Sequence, residues 1–333
     1  MWKIFFFYSI SLLFYYLFIT AIVFSFSYIS LINGKTYDWF WVKSIQKKTY
    51  FRGSINIWQY NNNCTTFDKN LFYKPKVGKC DFSNPEFETV LNFDEFTRTH
   101  KSLNKNYTSD DYILVLGDSI AMGWGVNDDK TFSYLLEKSL NQKVYNLGVS
   151  SYGTVREIKR MLLSPYYKNS KTILIQYHPN DLYENQEMDI NKIYLEKNYI
   201  ETFENDEDVF SEKNTNIKHI LRNYKTAIRL FFADIIDILF KENNLEVIDF
   251  KDHQKYLEEV IKKNIEVNEK NIIVFLPIAP YQKVKNFPNS NDQIKYYLFE
   301  LENDDFFNVD DHPNQKGHLT IANKLNDILL GKE

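Results

Sequence analysis

The chain has 333 residues, 44% hydrophobic and 25% charged, with a formal net charge of −4. This is the balance of a globular protein, long enough for one large domain with additions or for two domains. It lacks the basic excess of a nucleic-acid surface, so no nucleic-acid partner is expected.

The first segment has a different character. After Met1-Trp2-Lys3, the run from Ile4 to Ile32 contains no Asp, Glu, Lys or Arg. As a helix it reaches about 43 Å, enough to cross a hydrocarbon core of about 30 Å. Residues 1–33 are therefore expected to form a single transmembrane anchor. A cleaved signal peptide is the alternative, but the run is long for one and no small-x-small cleavage site follows it. Lys35, Lys43, Lys47, Lys48 and Arg52 lie after the span, and a literal positive-inside count keeps that side in the cytoplasm. Large downstream domains translocate despite such charges, and the cysteines favour export. Cys64 and Cys80 are the two cysteines of the chain and lie close together. Outside a membrane such a pair suggests a disulfide, with two free thiols as the alternative. The part of the chain after the anchor is expected in the periplasm or outside the cell.

Residues 34–110 are polar, aromatic and broken by turn residues such as Asn61-Asn62-Asn63 and Val77-Gly78. Ser54–Trp58 and Phe87–Leu91 read as short strands, so this stretch is expected to be a small β-containing leader. It ends in a polar linker from Lys101 to Asp111.

From Asp111 onward, strands alternate with helices. Strands are expected over Tyr112–Leu116, Lys143–Leu147, Thr172–Tyr177 and Asn271–Leu276. Helices are expected over Thr131–Leu140, Val155–Leu163, Ile217–Phe240, His253–Ile265 and about Leu319–Leu330. Such alternation predicts a parallel sheet with helices on both faces. Residues 111–333 are read as one domain, with an insertion at about 185–270.

Three expected strands end in polar residues: Ser119, Asn146 with Gly148, and Asn180 with Asp181. In a parallel sheet these ends share one edge, where open α/β folds place their sites. Acyl transfer needs a nucleophile, a base, an orienter for the base and donors for an oxyanion. Ser119 is the candidate nucleophile and His312 the candidate base. Asp310 is favoured over Asp311 to orient it, because Asp311 is too close to reach the far ring nitrogen easily. Gly148 lets a backbone N–H approach closely, and Asn180 adds a side-chain amide.

The blocks Leu116-Gly117-Asp118-Ser119, Asn146-Leu147-Gly148, Asn180-Asp181 and Asp310-Asp311-His312-Pro313-Asn314 occur in this order. In this the chain resembles the SGNH superfamily of GDSL-type esterases and lipases, over roughly residues 112–330. The resemblance implies a three-layer α/β/α sandwich with a parallel, flavodoxin-like sheet. It implies that Ser119 attacks an ester carbonyl, that His312 takes its proton and that an acidic residue just before His312 orients it. It places the oxyanion on the N–H groups of Ser119 and Gly148 and on the Asn180 amide, with no metal or cofactor. Two positions depart from the family pattern: Val309 stands where many members carry the orienting Asp, and His178-Pro179 precede Asn180 where Gly is usual.

The expected function is a serine hydrolase acting on acyl esters, such as acetyl esters, of a saccharide or lipid. Its expected partners are that ester substrate and the membrane that holds the N-terminal helix. Two alternatives share the scaffold: an O-acyltransferase acting on a cell-surface polysaccharide, and a non-catalytic carbohydrate-binding protein.

Overall fold

The computed structural model describes residues 2–51, 55–99, 107, 111–187, 189–202 and 245–332. The helix expected over Ile217–Phe240 and most of the Lys101–Asp111 linker lie outside the described residues.

Helix α1 (Trp2–Ile32) is unbroken because the run holds neither Pro nor Gly. The chain turns at Gly34, whose φ of 69° is a left-handed value. Helix α2 (Phe40–Thr49) then folds back against the end of α1. Gln46 ties the two together: its Nε2 donates to Lys35 O at 2.8 Å and to Ser30 Oγ at 3.3 Å. Phe24, Tyr28 and Ile45 pack beside it.

The leader forms two hairpins, β1 (Thr65–Asp68) with β2 (Phe72–Pro75) and β3 (Gly78–Asn84) with β4 (Phe87–Phe93). A Cys64–Cys80 disulfide joins them. The expected strand at Ser54–Trp58 is not found: Trp58–Tyr60 is a 3₁₀ turn, and residues 52–54 are outside the described set. Side chains explain the difference. The Asn56 N–H is taken by Asn84 Oδ1 and the Asn56 amide donates to Ser83 O, so no strand pairing is needed there. Trp58 instead turns inward and is fully buried with Leu71, Tyr73 and Phe93.

The main domain is built on five parallel strands: β5 (Tyr112–Leu116), β6 (Val144–Asn146), β7 (Ser170–Gln176), β9 (Asn271–Ile278) and β11 (Ile294–Glu300). Their spatial order is β6-β5-β7-β9-β11. This is the flavodoxin-like order, with its switch point between β5 and β7. Strand β11 is an addition to the four expected strands. It lies at the sheet edge, where Lys295 and Glu300 break its apolar run. A separate parallel pair joins β8 (Glu246–Asp249) to β10 (Gln282–Lys285).

Helices cover both faces of the sheet. On one side, α5 (Thr154–Leu163) and α7 (Phe250–Asn264) bury Ile158, Met161, Leu257 and Ile261 against it. On the other, α4 (Phe132–Leu140) and α8 (Gln315–Leu329) bury Phe132, Leu136, Ile321 and Leu325. Each such side chain contributes about 1.5–3 kcal/mol by leaving water. Helix α7 falls within the stretch read as an insertion from sequence, yet it belongs to this core. It follows β8 and lies between β7 and β9 in the chain.

Candidate active site

Strand β5 ends at Leu116, and the chain reverses sharply through Gly117, whose φ is 147°. A Cβ there would lie 2.6 Å from both Ala121 Cβ and Gln176 Oε1, so the turn has room for glycine alone. The short helix α3 (Ser119–Met122) begins at once, capped by the Asp118 carboxylate, which accepts the Ile120 N–H at 2.9 Å. Buried Gln176, at the end of neighbouring β7, braces the same turn. Its Oε1 accepts the N–H groups of Asp118 at 3.2 Å and Ala121 at 3.1 Å.

Ser119, 9% exposed, sits at this turn with its Oγ 2.8 Å from His312 Nε2. His312 Nδ1 lies 2.5 Å from Asp310 Oδ1. Ser119, His312 and Asp310 therefore form one continuous hydrogen-bonded line across 193 residues of sequence. Asp311 points elsewhere and pairs with Lys47 at 2.5 Å. The indole of Trp124 stacks on the His312 ring with centroids 4.7 Å apart, and its Nε1 donates to Asp310 Oδ2 at 2.9 Å. The Tyr50 hydroxyl also donates to Asp310 Oδ2.

The electrostatics follow from these contacts. Burial alone would raise the Asp310 carboxyl. The His312 charge and the hydrogen bonds from His312, Tyr50 and Trp124 overcome it and hold the group below the usual carboxylate value. Burial lowers the His312 imidazole, but Asp310 more than compensates, so its affinity for a proton is above ordinary. His318, by contrast, is buried beside Phe132 and accepts the Phe132 N–H at 3.2 Å. Burial pushes it down to about 3, which keeps it neutral and structural.

The remaining nominated residues are placed differently. Gly148 packs so tightly that a Cβ would meet Met122 N at 2.5 Å. Its N–H already donates to Asn146 Oδ1 at 2.9 Å, while the Asn146 amide donates to Ala121 O at 2.7 Å. Asn180 is exposed in the turn after β7, on the same sheet edge as Ser119, and its own N–H donates to His178 Nδ1 at 3.3 Å. Asp181 starts α6 (Asp181–Glu187) and is buried, accepting from Thr154 Oγ1 at 3.2 Å. Nearby Glu157 is also buried, and among the described residues neither of its carboxylate oxygens has a hydrogen-bond partner. Burial, reinforced by neighbouring carboxylates, raises both Glu157 and Asp181 well above the usual acid range. A cavity of about 760 Å³ opens at the ends of β9 and β11, between Pro280, Glu300 and Asp304, and is not lined by Ser119, His312 or Asn180. Among the described residues no cluster of three His, Cys, Asp or Glu side chains could hold a metal.

Sequence reasoning missed three residues that the leader supplies. Tyr50 is the first. Glu86, in the β3–β4 turn, accepts the N–H groups of Asn308, Val309 and Asp310 at 2.7–2.8 Å and so shapes the loop that carries His312. Arg98 is fully buried. It donates to the carbonyls of Met122, Gly123 and Val126 at 2.6–2.7 Å and pairs with Asp128 at 2.7 Å, fixing the loop after Ser119. None of the three lies in a recognisable motif. Gln176 did carry a signal, as a polar residue closing a buried strand next to the serine turn.

The flavodoxin-like order and the ordered blocks are now together on one sheet edge. The strand order and the two helix layers are those of the three-layer sandwich expected from the sequence resemblance. Similar solved structures include esterases and lipases. A family two carbohydrate esterase from Cellvibrio japonicus is 14% identical, covers 66% of this chain and 60% of its own, and has a TM-score of 0.31. A member of the lipolytic protein G-D-S-L family from Veillonella parvula DSM 2008 is 15% identical, with 66% and 98% covered and a TM-score of 0.25. The lipase Lip_vut3 from a goat rumen metagenome is 19% identical, with 65% and 95% covered and a TM-score of 0.26. At these values the likeness is distant. No family model matches the sequence. Reticulocyte-binding protein homolog 1 of Plasmodium falciparum (isolate 3D7) is 29% identical over 147 residues, which is 43% of this chain and 4% of that protein.

Proposed function

We propose that the chain is an SGNH-type serine hydrolase that cleaves acyl esters, such as acetyl esters, of a saccharide or lipid. The observation that carries this reading is the line Asp310 Oδ1–His312 Nδ1 and His312 Nε2–Ser119 Oγ, at 2.5 and 2.8 Å. In the proposed reaction Ser119 Oγ attacks the ester carbonyl while His312 Nε2 takes its proton. The tetrahedral oxyanion is held by the Ser119 N–H and the Asn180 amide. The Gly148 N–H joins them only by sharing the proton it now gives to Asn146. Collapse expels the alcohol, which receives the proton from His312 and leaves an acyl-Ser119 ester. Water, deprotonated by His312, then releases the acid and restores the serine. A sugar hydroxyl in place of that water makes the same site an acyltransferase.

The proposed setting is a membrane surface on the exported side. Helix α1 is long and apolar enough to serve as a membrane anchor or a signal sequence, and Phe6, Phe7, Leu12, Phe14 and Phe18 on it are exposed. The Cys64–Cys80 disulfide fits an oxidising compartment.

The test is release of acetate and longer acids from model esters by the full chain, beside a Ser119→Ala control. A loss of at least about 10³-fold in the control is expected. Equal rates would overturn the serine mechanism, and transfer to added oligosaccharide exceeding hydrolysis would select the acyltransferase reaction.

A further inference from the structure

Asp310 is 1% exposed, and its two oxygens have different partners. Oδ1 meets the His312 ring, while Oδ2 accepts from Trp124 Nε1 at 2.9 Å and from the Tyr50 hydroxyl. A carboxylate held through one oxygen can still rotate about its Cβ–Cγ bond. Donors on the second oxygen remove that freedom and fix the direction in which Oδ1 faces the imidazole.

We propose that Tyr50 is a positioning residue of the Ser119–His312–Asp310 site, supplied by the start of the leader, just after α2. The inference rests on the serine-hydrolase reading above. Tyr50 lies immediately after α2, 260 residues before Asp310, and its ring is fully buried with Leu31 of α1 and Val309 of the His312 loop. The neighbouring Lys47–Asp311 pair fastens α2 to the same loop. Through Gln46, α2 is in turn bonded to the end of α1. Burial and the adjacent Asp310 charge push the Tyr50 hydroxyl far above the range in which it could ionise, so it remains a donor. The consequence is specific. Tyr50 acts on the reaction only through Asp310, and its removal should slow attack by Ser119 without exposing a new surface.

The experiment uses the full chain in detergent micelles and follows labelling of Ser119 by a fluorophosphonate probe. Tyr50→Phe keeps the buried ring and leaves Trp124 on Asp310 Oδ2, so the variant is expected to melt within about 3 °C of wild type. Its labelling rate should fall about 5–20-fold. Asp310→Asn should fall further, and Tyr50→Phe combined with Asp310→Asn should label no more slowly than Asp310→Asn alone. Labelling of Tyr50→Phe at the wild-type rate, or losses that multiply in the double variant, would overturn the role of Tyr50. Equal labelling of wild type and Ser119→Ala would instead overturn the serine-hydrolase reading, so the two failures are distinct.

Discussion

Glu86 and Asp310, separated by 224 residues, meet where the Glu86 carboxylate accepts the Asp310 N–H at 2.7 Å. The same carboxylate holds the two preceding N–H groups, so the β3–β4 turn of the leader acts as a template for the His312 loop. Replacing it with Gln removes the charge and sets an amide donor against one or more of these N–H groups. Glu86→Gln should destabilise the protein by about 2 kcal/mol and slow Ser119 labelling. Thermal melting and probe labelling measure the two effects, and an unchanged melting temperature would show that the loop holds its shape without Glu86.

The pH profile should carry the signature of His312. The ring must be neutral to take the serine proton, and Asp310 raises its proton affinity above the ordinary value of about 6.5. Activity should therefore fall with acidification through a midpoint above about 6.5. Asp310→Asn should move that midpoint down and lower the plateau about 10²–10⁴-fold. The stability contributions have opposite signs. The raised His312 favours folding below its unfolded pKa, and that contribution is lost as pH rises through the folded one. The lowered Asp310 favours folding above the ordinary carboxylate range, and that contribution is lost as pH falls through its folded value.

Glu157 offers a second pH test. Its folded pKa is raised by burial and by nearby Asp181, Asp118 and Glu184, so the folded state holds a proton that the unfolded chain gives up above about pH 4.3. Wild-type stability should decline with pH above that point by up to about 1.4 kcal/mol per unit for this group. Glu157→Gln should flatten the decline and raise the melting temperature at pH 7–8 while leaving it little changed near pH 4. Parallel melting-temperature curves for the two chains would refute the assignment.

Asn180→Ala should lower kcat about 10²–10³-fold with little change in KM, since an oxyanion donor acts on charge that develops only in the transition state. Steady-state kinetics on a model ester checks it, and a change confined to KM would make Asn180 a binding residue.

The Cys64–Cys80 bridge joins the two leader hairpins across a separation of 16 residues. Closing a loop of that size is worth about 3 kcal/mol. Cys64→Ser with Cys80→Ser should lower the melting temperature accordingly, and reductant should have the same effect on wild type. An insensitive melting curve would show that the leader is held by its aromatic core, including Trp58, Phe82 and Phe93.

What could be read from sequence was local. Leu116 to Ser119, the strand end after Gln176 and the Asp310–His312 pair are short segments whose apolar runs and spacing survive without tertiary information. Strand β11 was missed because Lys295 and Glu300 leave only the short apolar run Tyr296–Phe299 between polar stretches, charges of the kind that protect a sheet edge. Tyr50, Glu86 and Arg98 were hidden for a different reason. Each acts on residues far along the chain through one terminal group, and no spacing rule connects Tyr50 with Asp310 or Arg98 with Met122.

The Gln46 bond between α1 and α2 bears on how far the candidate site can range. Flexible linkers let a tethered domain sweep a volume and sample many orientations. Here the chain passes from α1 into α2 and then to Tyr50 through contacts that leave little slack. With α1 in a bilayer, the serine would work at a fixed height and attitude, like a tool on a short rigid arm. Esters close to that plane would be met at high local concentration, while those farther out would have to be brought to it.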